Sequence, residues 1–138
     1  MPRHALALAT ALLAAGPLAA AEPITGRWIT DDKDAVVEIA PCGKQLCGTI
    51  ARFLVPPPGG ADQRDTNNKD AAKRSRKLLG MMILTGFTPD EDAFRGRIYD
   101  PRNGRTYRSV LRRKSAGLLE VKGCMGPLCR TYQWVRAR

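Results

Sequence analysis

The sequence predicts a small all-β protein, an antiparallel up-and-down β-barrel of about eight strands with a long loop and a short helix inserted. Two observations predict this fold. Several short segments alternate apolar and polar residues with period two, and Gly, Asn, Asp and Pro separate them. The length of 138 residues is enough for one such domain.

The first 21 residues have the features of a secretory signal peptide. Arg3 supplies positive charge, residues 5–15 form an apolar run too short to span a bilayer, and Gly16-Pro17 breaks that run. Small residues then precede Glu22, where the mature chain is expected to begin. We therefore expect residues 1–21 to be removed and the protein to be exported, to the periplasm of a bacterial envelope or outside the cell.

Removal of the signal changes what chemistry is available. It takes 21 of the 138 residues, leaves 117, and lowers the formal net charge from +10 to +9. The only histidine, His4, leaves with it, which excludes Ser-His-Asp and Cys-His catalysis and His-rich metal sites in the mature chain. No later apolar run approaches 18 residues, so we expect no membrane-spanning helix.

The predicted strands follow the alternation along the mature chain, residues 22–138, which we expect to form one domain. A Val- and Ile-rich segment follows the first short run, and Gly80 and Gly86 are possible bends in the fourth. The turn Asp100-Pro101-Arg102-Asn103-Gly104 is the clearest hairpin signal. In chain order the predicted strands are residues 26–30, 35–40, 46–55, 78–87, 94–99, 106–114, 118–123 and 130–136.

Residues 56–77 interrupt this pattern as a long basic loop. Pro56 to Gly60 has the composition of a loop and cannot be a central strand. Residues 70–77 are expected to form a helix of two turns capped by Asn68. A loop of this length in a small domain is typically functional or mobile.

The acidic and amide residues at 65–70 invite comparison with a calcium loop. Lys69 occupies the fifth position, the sixth is not Gly, and no Glu follows at the twelfth, so the EF-hand pattern fails. We favour a helix cap and turn here and expect no metal site and no cofactor. Only Glu38 and Glu120 lie within strand patterns, which leaves paired-carboxylate catalysis as a remote alternative.

The four cysteines, Cys42, Cys47, Cys124 and Cys129, form two Cys-x4-Cys motifs. An even number in a small exported chain predicts two disulfides, with a zinc site or redox chemistry as the less favoured alternatives. Three pairings are possible. We favour 42–47 and 124–129, because each pair would face across a hairpin, although loop entropy favours a longer bridge.

The two ends of the mature chain carry a further pattern. Gly26-Arg27-Trp28 opens the first strand and Arg136 ends the last, and these strands are neighbours in a closed barrel. An arginine over Trp28 would close one end of the barrel. This pattern resembles the structural signature of lipocalin-type barrels, which implies a lipocalin-like fold.

A second resemblance covers the mature chain. Its motifs are Gly-x-Trp, Val-Glu-Ile-Ala-Pro-Cys-Gly, Leu-Cys-Gly, Asp65-x-x-Asn68, Leu79-Gly80, Tyr99-Asp100-Pro101-x-x-Gly104-x-x-Tyr107 and Cys-Arg-x-x-x-Trp. Together they resemble the DUF2147 family of exported bacterial proteins. The resemblance implies a small lipocalin-like barrel in the cell envelope and assigns no catalytic residues.

Positive charge is concentrated in two groups. The first, in the long loop, includes Lys73, Arg74, Arg76 and Lys77 as candidate anion-binding residues. The second lies on adjacent predicted strands: Arg95, Arg97, Arg102, Arg105, Arg108, Arg112, Arg113 and Lys114. Such a surface attracts polyanions. In an exported protein we expect anionic lipid head groups or polysaccharide as partners, and no nucleic acid.

The function we expect is binding or transport of a small apolar or amphipathic ligand inside the barrel, without catalysis. Candidate ligand contacts, chosen for size and strand position, are Trp28, Met82, Leu84, Tyr107, Leu111 and Trp134. The alternative is a solid barrel whose basic surface binds anionic envelope components or a protein partner. An enzyme is the third possibility.

Overall fold

The computed structural model describes residues 1–2, 11–14 and 20–138. Most of the predicted signal peptide, including His4, lies outside the described residues. Among those that are described, there is no helix with the length and apolarity that a bilayer crossing requires.

Eight strands form a closed antiparallel barrel in which each strand pairs with the next and β8 returns to β1. The predicted all-β barrel is therefore confirmed. The strands are β1 (Gly26–Ile29), β2 (Ala35–Cys42), β3 (Gln45–Phe53), β4 (Met82–Asp90), β5 (Ala93–Asp100), β6 (Arg105–Ser115), β7 (Leu118–Met125) and β8 (Leu128–Arg136).

Up-and-down topology places alternate connections at opposite ends of the barrel. The connections after β1, β3, β5 and β7 lie at one end, which we call the mouth; they include the long segment between β3 and β4. The hairpins after β2, β4 and β6 lie at the other end, which we call the closed end. The strand order therefore shows at which end of the barrel each turn residue lies.

Trp28 fills the closed end. Its side chain is 0% exposed, and its Nε1 donates a hydrogen bond of 2.8 Å to the carbonyl of Ile24. The guanidinium of Arg136 lies 5.1 Å from the ring centroid and that of Arg113 lies 5.8 Å away. The predicted cation over Trp28 is present, with a second one beside it. A Cβ on residue 26 would come within 2.7 Å of the Arg136 guanidinium, which explains why this position is a glycine.

The half of the barrel next to the closed end has a solid core. Two inward-facing glycines make room for large side chains, because a Cβ on Gly48 or on Gly96 would lie 2.7 Å from Leu84 or from Phe87 respectively. Burial of each such side chain contributes roughly 1.5–3 kcal/mol. The buried residues that fill this half include Ile24, Ile39, Leu84, Phe87, Phe94, Leu111 and Leu119.

The fourth strand begins later than predicted. Residues 78–81 belong to the preceding loop, where Gly80 has a left-handed backbone (φ +83°) and its N–H donates to the carbonyl of Ile50. Gly86 also has a positive φ, +69°, at a bulge in β4. Both predicted bends are therefore present, and the strand continues past residue 87 to Asp90.

The predicted two-turn helix at residues 70–77 is wrong. A single 3-10 turn, Ala71–Lys73, forms there, and Asp70 rather than Asn68 caps it by accepting from the N–H of Ala72. The 3-10 turn does not extend into a longer helix, because the chain after it pairs with an earlier part of the loop. The Asp65 N–H donates to the Arg76 carbonyl, which commits that backbone to an extended bridge.

All four cysteines form disulfides, and both bridges are local. Cys42–Cys47 closes the β2–β3 hairpin at the closed end, and Cys124–Cys129 closes the β7–β8 hairpin at the mouth. The Cα atoms are 5.8 Å and 4.0 Å apart, respectively. The favoured pairing is confirmed. Cys124 and Cys129 are direct cross-strand partners, whereas Cys42 and Cys47 lie diagonally across their hairpin, where Cys47 is opposite Ala40.

Candidate functional site: a cavity at the mouth of the barrel

The half of the barrel next to the mouth contains a cavity of about 790 Å³. Its walls are mainly aliphatic side chains from five strands: Val37, Ile50, Ile83, Ile98 and Val121. Aromatic residues complete the lining: Phe53, Tyr99, Tyr107, Tyr132 and Trp134. The cavity therefore offers an apolar interior with a few phenolic groups.

Small inward-facing residues explain why this half is hollow. A Cβ on Gly123 would find its nearest neighbour, a methyl group of Ile98, at 3.9 Å, so the space in front of Gly123 is open. Ala35 is the corresponding small residue at the start of β2. In the solid half, by contrast, the inward positions carry Phe94 and Leu111. Side-chain size along the strands thus divides the barrel into a filled half and an open half.

The rim of the cavity is polar and carries more acidic than basic groups. Four aspartates, Asp31, Asp32, Asp34 and Asp100, line it together with two arginines, Arg102 and Arg130. The formal charge of the lining is therefore −2, in a chain whose net charge is +10.

Arg102 ties two of the mouth turns together. Its guanidinium donates to Asp100 at 3.0 Å and to Asp32 at 2.6 Å, so it bridges the β5–β6 turn and the β1–β2 turn. The hydrogen bond to Asp100 and the charges of the nearby aspartates raise the pKa of Arg102. Arg102 therefore stays charged and fixes the spacing of the two turns.

The rim also has apolar side chains exposed to solvent. Val55, Met125 and Leu128 all line the cavity and are all exposed. They extend the apolar surface of the cavity outward to the entrance, next to the Cys124–Cys129 bridge.

The long loop is fixed to the barrel beside the mouth through Asp65. This carboxylate is 1% exposed and accepts hydrogen bonds from Tyr99 Oη at 2.6 Å and from Asn68 Nδ2 at 2.8 Å. Arg76 lies 3.8 Å from it. Burial, followed by the hydrogen bond to Asp65 and the Asp65 charge, raises the pKa of Tyr99 to about 12. Tyr99 is therefore a neutral hydrogen-bond donor at ordinary pH.

A second contact between loop and barrel lies at Gly104. Asn67 Nδ2 donates to the carbonyls of Pro101 and Arg102, both at 3.1 Å. Gly104 has a φ of +70°, and a Cβ there would overlap the backbone carbonyl of Asn67. The motif Asp65-x-x-Asn68 and the turn ending at Gly104 thus form one junction.

Two of the six predicted ligand contacts, Tyr107 and Trp134, line the cavity. Trp28, Leu84 and Leu111 lie in the solid core instead, and Met82 is 46% exposed; none of these four lines the cavity. Size and strand position predict which of these residues face the interior. They do not predict whether a residue lies in the solid half of the barrel or in the half with the cavity. Met82 fails for another reason, because it is the next residue, Ile83, that faces inward.

Several lining residues were not predicted from the sequence, notably Phe53, Tyr99, Tyr132 and the four aspartates. One signal was available for the aspartates. In an up-and-down barrel the turns after β1 and β5 share an end, so Asp31 to Asp34 and Asp100 had to lie near each other.

The candidate anion-binding residues of the loop are exposed, and three have partners within the protein. Arg74 Nε donates to the Asn68 carbonyl, Arg76 lies near Asp65, and Lys77 forms an ion pair with Asp62 at 2.9 Å. Within residues 20–138, no ion pair or hydrogen bond of the Lys73 side chain is present. Anion binding by this group stays a prediction.

No cluster of metal-ligating side chains occurs in the described part of the chain. In the segment compared with a calcium loop, Asn68 donates its amide to Asp65 and accepts the N–H of Asp70 through its oxygen. The predicted turn is thus present, and these side chains stabilise it.

A solved structure supports the architecture. The chain is similar to a protein of the human pathogen Helicobacter pylori that is described as belonging to the lipocalin family, with a TM-score of 0.73 and 20% sequence identity over 84% of each chain. At this identity the likeness shows the fold. Among curated proteins, none matches the sequence.

A family model matches residues 26–136, which run from the first residue of β1 to the last residue of β8. Its description is an uncharacterized protein conserved in bacteria, and the match includes both the cavity and the loop junction. The chain therefore belongs to the DUF2147 family.

Proposed function

We propose that this protein binds a small amphipathic ligand, with the apolar part of the ligand inside the barrel and its head group at the mouth, and that it catalyses no reaction. The observation that carries the proposal is the cavity of about 790 Å³ with aliphatic and aromatic walls. Sites for small molecules typically enclose about 300–1,000 Å³ and have mostly apolar walls with a few polar groups.

The rim favours a neutral or cationic head group over a carboxylate. Of its charged groups, Arg102 is already bound by two aspartates, and Arg130 faces a lining that is net negative. An anionic head group would meet like charges there, at a site where solvent screening is partial. Long-chain alcohols, amides and amines therefore fit the cavity better than fatty acids do.

Binding without catalysis agrees with the chemistry of the lining. Tyr99 holds its proton because its pKa is raised, and it donates that proton in a hydrogen bond to Asp65, so it does not act as a base. The remaining acids lie at the rim, and no histidine follows residue 4. The phenols and the aspartates suit recognition of a polar head group.

We infer that the protein works outside the cytoplasm, in the bacterial envelope. Two disulfides support this inference, since such bonds persist in oxidising compartments. The features of residues 1–21 point the same way.

Displacement of a fluorescent apolar probe, N-phenyl-1-naphthylamine, tests the proposal. Competitors with the same alkyl chain but an amine, alcohol or carboxylate head group separate the effect of the cavity from that of the rim. We expect the probe to bind, and the amine and alcohol to displace it at lower concentration than the carboxylate.

Filling the cavity provides the matched control. Gly123→Leu places a side chain in the open space before Ile98, whereas Lys122→Leu adds the same side chain on the outer face of β7. We expect the first variant to lose probe binding at least about tenfold, which corresponds to about 1.4 kcal/mol, because the leucine occupies space that the probe needs. The second variant should keep probe binding. Equal binding by both variants and the wild type would overturn the proposal.

A further inference from the structure

An arginine pair stands out on the outer wall of the barrel, outside the cavity. Arg97 on β5 and Arg108 on β6 are direct cross-strand partners. Both point outward, because their neighbours Ile98 and Tyr107 face the cavity. Like charges directly opposite each other on neighbouring strands are destabilising.

Neither arginine has an acidic partner in the described part of the chain. The Arg108 guanidinium donates to the backbone carbonyl of Gly126, and Arg97 forms no ion pair or side-chain hydrogen bond within residues 20–138. Two other arginines on the same strands have acidic partners: Arg95 pairs with Asp90, and Arg112 contacts Asp92. The repulsion between Arg97 and Arg108 therefore lacks compensation inside the protein.

A groove runs beside this pair. It is lined by Gln45, Thr85, Gly86, Arg95, Gly96, Arg97 and Arg108. Thr85 is the cross-strand partner of Arg97 on its other side, and the bulge at Gly86 interrupts β4 at this point. The groove thus combines guanidinium donors with one hydroxyl and one amide group, on a part of the wall that the bulge shapes.

Protection of a sheet edge does not explain these arginines. Charged residues often prevent exposed edge strands from pairing with other chains. Here β5 and β6 are both paired on each side within a closed barrel, so they have no free edge. The pair costs stability without that benefit, which favours a role in binding.

We propose that this groove binds an oxyanion, a phosphate or phosphate-ester group, between Arg97 and Arg108. Guanidinium groups form paired, charge-assisted hydrogen bonds with phosphate oxygens, and a bound anion would remove the repulsion between the two arginines. A phospholipid head group and a free or polymer-linked phosphate share this chemistry. The site is separate from the cavity, so it stands independently of the ligand proposal above.

The test compares the thermal stability of the full chain with and without inorganic phosphate, at constant ionic strength with chloride as the control anion. A second arm measures cosedimentation with vesicles of phosphatidylglycerol and of phosphatidylcholine. The variant is Arg97→Gln/Arg108→Gln. Its matched control, Lys44→Gln/Lys114→Gln, removes the same charge from exposed positions outside the groove.

We expect phosphate or phosphatidylglycerol vesicles to bind the wild type and the lysine control, and the arginine variant to lose at least about tenfold in affinity. Without phosphate, the arginine variant should be as stable as the wild type or more stable, because the repulsion is gone. If the wild type responds to inorganic phosphate but not to vesicles, the ligand is a phosphate group that is not part of a lipid surface. If it responds to phosphatidylglycerol vesicles but not to inorganic phosphate, the ligand is a lipid head group. Equal loss in both variants, or no response of the wild type in either arm, would overturn the proposal.

Discussion

Tyr99 Oη donates a hydrogen bond of 2.6 Å to Asp65 Oδ1, across 34 residues of sequence. This bond joins β5 to the long loop, and Tyr99 also lines the cavity. The position of the loop and the shape of the cavity wall are therefore coupled. Both residues belong to the motifs that link the sequence to its family, so at least part of that pattern builds the mouth of the barrel.

We predict that Asp65→Asn destabilises the protein by about 2 kcal/mol, because the buried carboxylate accepts two hydrogen bonds that an amide cannot both accept. Urea denaturation measures this change. Asp62→Asn is the control, since Asp62 is an exposed partner of Lys77 in the same loop and its loss should have little effect. Equal stability of the two variants would contradict the role given to Asp65.

We predict that one of the three tyrosines titrates late. Burial and Asp65 raise the pKa of Tyr99 to about 12, against an ordinary value of 10.0. In the unfolded chain Tyr99 loses its proton first, so its contribution to stability is complete below pH 10 and is lost as the pH rises from 10 through 12. Ultraviolet titration of the wild type should show the late step, and Tyr99→Phe should lack it. If the late step persists in the Tyr99→Phe variant, another tyrosine causes it, which would contradict the prediction.

We predict that Gly104→Ala destabilises the protein more than Gly126→Ala does. Both glycines have positive φ, +70° and +54°, so both substitutions cost about 1–2 kcal/mol of backbone strain. Only at Gly104 would the new methyl group also overlap the carbonyl of Asn67, whereas nothing lies within 4 Å at Gly126. Thermal unfolding of the two variants measures the difference. Equal loss would mean that the loop does not pack against this turn.

We predict that each disulfide contributes about 2 kcal/mol, because each closes a loop of only about six residues. Cys42→Ser/Cys47→Ser and Cys124→Ser/Cys129→Ser should therefore lose similar stability in denaturant. They should differ in ligand binding, because only the second bridge lies at the mouth. Loss of probe binding in the first variant alone, while it remains folded, would contradict the placement of the site.

The fold was predictable because it depends on local patterns. Alternation and turn residues located all eight strands within a few positions, and hairpin spacing indicated both disulfides. The exceptions, residues 70–77 and 78–81, lie in the long loop. There the backbone bonds to distant partners, such as the Gly80 N–H to Ile50, and local propensity does not decide the outcome.

The cavity was only partly predictable, since its position depends on depth along the barrel and on strand register. Trp28 and Trp134 look alike as inward aromatic residues, yet Trp28 fills the closed end and Trp134 lines the cavity. Bulges in β4 shift the register, so Ile83 rather than Met82 faces the cavity. Period-two alternation alone carries no information about either effect.

Native mass spectrometry of the protein purified gently from the bacterial envelope, before and after organic extraction, tests the central claim most directly. The account predicts a reproducible additional mass that disappears on extraction, that belongs to an amphipathic molecule with a neutral or cationic head group, and that Gly123→Leu lacks. A protein that carries no additional mass before extraction, and that takes up no amine, alcohol or fatty acid afterwards, would contradict a ligand-binding cavity.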